Sequence, residues 1–331
     1  MRAAPVLAVT LIAGCQAPQP PVSAAPQLPQ QQDAPPYALP SPATQPVLFA
    51  PDVISTADFE SDASFTPDGR TVYFVRSDTR QGHWTILESR FVDGHWNTPS
   101  VPAFSGRYRD SDPFVTADGE HLYFISDRPV NGLAKADMDI WVMDRTPNGW
   151  SEPRNLGQPV NSAESEWHPS MTARGTLYFG SSRPGGFGLT DLYRATSGGG
   201  EWHVENLGAP INTAGYEYEP MIAPDESYLI FMAYRPDSLG ASDLYLSWHR
   251  GNGWSEPRNL GPPVNSAAIE MSPERSPDGR YLFFASSRPR NSAGNTHGAS
   301  APGDGRGDLY EIDLASALAE AQAAHSPVKV R

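Results

Sequence analysis

Carboxylates at one repeated position are the strongest chemical signal in this sequence. Glu60, Asp110, Glu166, Glu217 and Glu270 each stand three residues ahead of a Pro or Ala, and the next alternate position holds Asp62, Asp112, His168, Glu219 and Ser272. Acids brought together in this way serve as a cation or basic-ligand site, calcium being the cation considered, or as the paired carboxylates of a glycosidase. Two carboxylates about 8 Å apart repel by roughly 2 kcal/mol at an effective dielectric near 20, so a ring of five needs neutralising. Four arginines recur at one position, Arg128, Arg183, Arg235 and Arg288, and are the candidate partners. The first unit departs from this pattern: Asp78 stands there, with Arg76 and Arg80 nearby. Trp167, beside Glu166, is a candidate stacking surface for a ligand.

Other chemistries find little support. The eight histidines show no metal-ligand spacing, there is no GxSxG, and the single cysteine, Cys15, offers neither a disulfide nor a nucleophile within the folded part. A formal charge of −14 argues against nucleic acid and anionic lipid surfaces.

The elements that must position these acids come from an internal repeat. WSEPRNLG at 150–157 recurs letter for letter at 254–261; NLGQPVNS (155–162) returns as NLGAPINT (206–213) and NLGPPVNS (259–266). TLYFGSSRP (176–184) echoes HLYFISDRP, YLIFMAYRP and YLFFASSRP, and DLY or DIW follows each. Five turns anchor the units: PDG at 67–69, ADG at 117–119, ARG at 173–175, PDE at 224–226 and PDG at 277–279. Each unit reads as four short antiparallel strands, the last beginning near Trp96, Trp150, Trp202 or Trp254. Radial repetition of such units makes an all-β, five-bladed β-propeller. The fifth unit has no tryptophan strand, and LFAPDVIST (48–56) precedes the first. This N-terminal piece is therefore expected to supply the outer strand of the last blade and close the ring.

The pattern NLGxPVN, then acid-x-acid-P, then PDG-xLYF-xSxRP and DLY, resembles the TolB-like, WD-repeat-like β-propeller family with the "PD" turn, over about residues 48–314. That resemblance implies a bacterial envelope protein, in a family whose members are mostly binding or scaffold modules. Residues 1–14 read as a secretory leader, and Ile12-Ala13-Gly14-Cys15 resembles a lipobox, which implies lipid attachment at Cys15. Gln16, where an Asp would favour inner-membrane retention, points to the outer membrane. Residues 15–46, rich in Pro, Gln and Ala, are expected to be a disordered tether, 47–314 the propeller and 315–331 a helical tail.

The reading that follows is a periplasm-facing lipoprotein, held to the membrane only by its lipid. It acts as a non-enzymatic binding or scaffold protein that engages an envelope protein or small ligand at the channel mouth. Its alternatives are a glycan-binding or glycosidase-like propeller using the same mouth, and a structural spacer without ligand. On this reading the candidate ring is Glu60, Asp110, Glu166, Glu217, Glu270 and His168, and no cofactor is required.

Overall fold

The computed structural model describes residues 37, 43–77, 82–251, 253–289 and 306–323. The leader with Cys15, most of the tether, and most of the loop after Pro289 lie outside these residues.

Five antiparallel sheets follow one another along the chain as the blades of a five-bladed β-propeller. Their inner strands are Phe59–Phe65, Asp110–Val115, Glu166–Met171, Glu217–Ile222 and Glu270–Arg275. Each neighbours the next, and the fifth neighbours the first. The last blade is completed by Val47–Leu48, which pairs with Glu311 and Tyr310, so the two ends of the propeller close the ring as expected. The helix Leu314–Ala323 follows, its Ala317 and Ala321 buried against the core shared by blades four and five. Tyr37 falls within the stretch expected to be disordered, yet it is buried against Phe65, Tyr281 and Phe283.

The repeated letters account for the blade. In the PDG turns, Asp68 accepts from Thr66 Oγ1 (2.6 Å) and the Arg70 amide (3.0 Å), and Gly69 takes φ +68°, where a Cβ would be strained. In NLGxPVN the second Asn clamps the third strand. Asn161 accepts from the Ile140 amide at 2.8 Å and donates to its carbonyl at 2.9 Å, and Asn212 and Asn265 treat Leu192 and Leu244 alike. The LYF strands supply fully buried aromatics such as Phe124, Phe179, Phe231 and Phe283, so the core lies between the sheets.

Candidate active site at the channel mouth

The inner strand of every blade carries the same irregularity. Its pairing with the second strand shifts register between, for instance, Ser61 and Ser64, or Tyr218 and Met221. At that shift stands a non-glycine residue of positive φ: Asp62 (55°), Asp112 (52°), His168 (44°), Glu219 (53°) and Ser272 (52°). The left-handed region disfavours any side chain with a Cβ, and such bulges bend a strand and re-aim the residue they carry. Regular alternation would send Glu60 and Asp62 to one face; the bulge separates them.

The first set of acids turns into the blades. Glu60, Asp110, Glu166, Glu217 and Glu270 are fully buried, and none lines the channel cavity. Glu166 accepts from the Ser162 amide (2.9 Å), Ser162 Oγ (2.6 Å), Ser181 Oγ (2.8 Å) and Arg183 (3.2 Å). Glu270 repeats this with Ser266, Ser286 and Arg288. Arg128 lies 2.6 Å from Asp110 and Arg235 lies 3.7 Å from Glu217. In blade one the partner is Arg76, its Nε 2.9 Å from Glu60. Each repeated guanidinium also rests on the Phe of the second strand and the aromatic of the third; Arg183 lies 5.4 Å from the Phe179 ring and 4.8 Å from that of Tyr193. Burial raises the pKa of Glu60, Asp110, Glu166 and Glu217, against these hydrogen bonds and arginines. The expected channel ring of these five is thus corrected: they fasten each blade's corner, drawn inward by the arginine and by a Ser or Thr four residues earlier, or in blade two by the Gly106 amide at 3.2 Å from Asp110. That Ser/Thr spacing (Thr56, Ser162, Thr213, Ser266) is the signal in the sequence that marks them as blade fasteners.

The second set meets in the channel. Asp62, Asp112, Glu219 and Ser272 line a cavity of about 320 Å³, walled by Trp84, Trp167, Tyr218 and Tyr234. His168, 5% exposed, lies with Nδ1 3.3 Å from Asp62 Oδ1, a pair met by charge rather than by an aligned hydrogen bond. The His168 amide donates to Asp112 (2.8 Å) and the Ser272 amide to Glu219 (2.5 Å), so these two acids also tie their blades to the next. Asp62 Oδ1 and Ser272 Oγ, both buried, have no hydrogen-bond partner. Buried polar atoms left open are uncommon and mark a place where a ligand can supply the bond.

The electrostatics separate these groups. Burial pushes Asp112 up to about 7 and Glu219 up to about 8, the charge of Asp62 adding to both and His168 opposing. Burial alone would depress His168; contact with Asp62 and the charges of Asp112 and Glu219 outweigh it and lift it to about 10. At neutral pH the cluster therefore presents an imidazolium beside Asp62 and a protonated Glu219. Asp62, His168 and Glu219 each offer a donor atom within 4.8 Å of the others. Two carboxylates and an imidazole nitrogen do not fit calcium, which takes six to eight oxygens. They do fit acid–base chemistry, with one carboxyl kept protonated and another set beside a fixed positive charge.

No protein-family model matches this chain, and no curated protein matches its sequence. Solved structures do. One described as a glycoside hydrolase is 11% identical, with a TM-score of 0.52, covering 82% of this chain and 91% of its own. A second, solved as an RGII complex, is 10% identical at a TM-score of 0.53, with the same coverage. An α-L-arabinofuranosidase from Lactobacillus brevis is 12% identical at 0.42, covering 79% and 93%. Of other, longer hydrolases that it matches, the chain spans only 35% and 32%. At such identities the likeness shows the fold alone. The TolB-like resemblance has no counterpart among these neighbours, which are glycoside hydrolase and peptidase propellers. The expectation of a non-enzymatic scaffold is corrected accordingly: the solved structures that share this fold are described as glycoside hydrolases and peptidases.

Proposed function

We propose that the channel mouth binds a glycoside and hydrolyses it, with Glu219 as proton donor and Asp62 as the second carboxylate. The observation that carries this is the pair itself: two carboxyl groups with one oxygen of each within 4.8 Å, in an aromatic-walled cavity, one of them held protonated up to about pH 8. Glycosidases that retain anomeric configuration set their carboxyls about 5–5.5 Å apart, whereas inverting ones leave roughly 6.5–9.5 Å for a water. An approach of two carboxyl oxygens to within 4.8 Å is the closer to the retaining arrangement.

In that chemistry Glu219 gives its proton to the glycosidic oxygen as Asp62 forms a bond to the anomeric carbon and the leaving alcohol departs. Water then attacks the same carbon, Glu219 takes its proton back, and Asp62 is released as carboxylate. His168, fixed 3.3 Å from Asp62, orients that carboxylate and balances its charge. The cavity has room for about one sugar ring, and its tryptophans and tyrosines offer flat apolar faces to it. Export and lipid attachment at Cys15 belong to the proposal on the strength of residues 1–15 alone. They would make an envelope or environmental glycan the substrate class and leave a protein partner unnecessary.

The test is release of reducing ends from a panel of envelope and plant polysaccharides by the whole chain. Release is expected to fall at least 100-fold in Glu219→Gln and Asp62→Asn. It should persist in Glu205→Gln, on the outer strand of blade three, which alters only its exposed pairs with Arg194 and His203. Absence of release from every polysaccharide, or equal release by all variants, would overturn the proposal.

A further inference from the structure

Blade four departs from the repeat beside the cavity. The residue before the first acid is Phe59, Arg109, Ser165, Tyr216 and Ile269 in the five blades; the residue after it is Ser61, Ser111, Trp167, Tyr218 and Met271. After the second strand stand Asp127, Ser182, Tyr234 and Ser287 in blades two to five. Only blade four puts a tyrosine at all three places.

These tyrosines form a continuous surface. Tyr218 and Tyr234 line the cavity next to Glu219. Tyr216 stacks on Tyr218 with centroids 5.7 Å apart and planes at 12°, and meets Tyr234 edge-on at 5.7 Å. Tyr216 and Tyr234 are 37% and 43% exposed, so the aromatic wall runs out of the cavity onto the surface. Beside it, exposed Phe187 and Leu189 continue the apolar track. Their loop is pinned there: the Leu189 amide donates to the Gly215 carbonyl at 2.9 Å, and a Cβ on Gly188 would come within 2.3 Å of that same oxygen. Tyrosine gives a large, rigid, amphipathic contact at low entropic cost, and blade packing does not need one exposed at this spot.

We infer that Tyr216 and Tyr234 form a second sugar subsite, continuous with the cavity on the side of Glu219. The substrate is therefore an oligosaccharide or polysaccharide chain rather than a small glycoside. The inference rests on the glycosidase reading for its first subsite, and Glu219, as proton donor, faces the leaving group that this surface holds.

The experiment is binding of the whole chain to an array of glycans one to six sugars long, at equilibrium and without added catalysis. Among sugars that bind, affinity is expected to rise about tenfold from one unit to two. That increment should vanish in Tyr216→Ala and return in Tyr216→Phe, while single-sugar binding stays unchanged in both, because Tyr216 does not line the cavity. No increment, an increment unaffected by Tyr216→Ala, or retention of no glycan would overturn the subsite. Length-dependent binding without bond cleavage would instead overturn the hydrolase reading and leave the subsite standing.

Discussion

Two sets of side chains only two residues apart behave as different materials. Glu60, Asp110, Glu166, Glu217 and Glu270 are alike in every blade, fully buried and met by donors from their own blade. Asp62, Asp112, His168, Glu219 and Ser272 differ from blade to blade, sit on strained backbone, and leave buried atoms of Asp62, His168 and Ser272 without a hydrogen bond. Uniformity belongs to construction, because each blade must solve the same corner. Variation belongs to the site, because one substrate touches each blade differently.

Substitutions in the two sets should separate cleanly. The largest effect is expected from Glu219→Gln, a loss of about 10²–10⁴-fold in turnover with little change in Tm, since the general acid contributes about that much. A comparable loss of Tm with turnover per folded molecule intact would break the comparison. Glu166→Ala should do the reverse. Removing one partner of a buried pair leaves Arg183 and two serine hydroxyls unmatched, at a cost of about 3 kcal/mol seen in chemical denaturation. Turnover of the remaining folded protein should be unchanged.

Titration sharpens the contrast further. His168, raised to about 10 from an ordinary 6.5, contributes stability that is fully present below pH 6.5 and lost as pH rises through 10. Its facing groups are Asp62, Asp112 and Glu219, and the buried Glu274 also feels its charge. Denaturation midpoints should therefore decline across that window, and His168→Gln should flatten the decline. A flat profile in the unaltered protein would remove the charged histidine from the account. Over the same range turnover should fall above about pH 8, as Glu219 loses its proton. The smallest effect belongs to Glu205→Gln, within about 0.5 kcal/mol, because its pair with Arg194 is exposed.

The propeller was legible because its repeat is written in turn residues and strand alternation that act locally. Asp68 and Gly69 make their turn whatever the rest of the chain does, and the arrival of Val47–Leu48 at the last blade followed from counting strands. The site was legible only in part. Asp62, Asp112, His168, Glu219 and Ser272 were visible as the alternate position, yet alternation placed them on one face with the five uniform acids. What parts the two sets is a bulge at a positive φ with no glycine to announce it. The tyrosines of blade four stand in the sequence as departures from the repeat, but Tyr234 reaches Tyr216 only through strand pairing, and the blade-three loop is pinned beside them by the Leu189–Gly215 hydrogen bond, contacts that no local pattern encodes.

The closing strand carries a consequence for how the protein is made. Val47–Leu48 leaves the ribosome before any blade, and its partner Asp308–Asp313 after four of them are complete. During that interval blade one has no neighbour on one side, and the cluster of Phe49, Phe65 and Phe283 is missing its last member. Synthesis therefore passes through a long stage in which an open arc exposes aromatic surface at both ends, a natural substrate for chaperones. Ring closure is then a single late event on which every earlier blade depends.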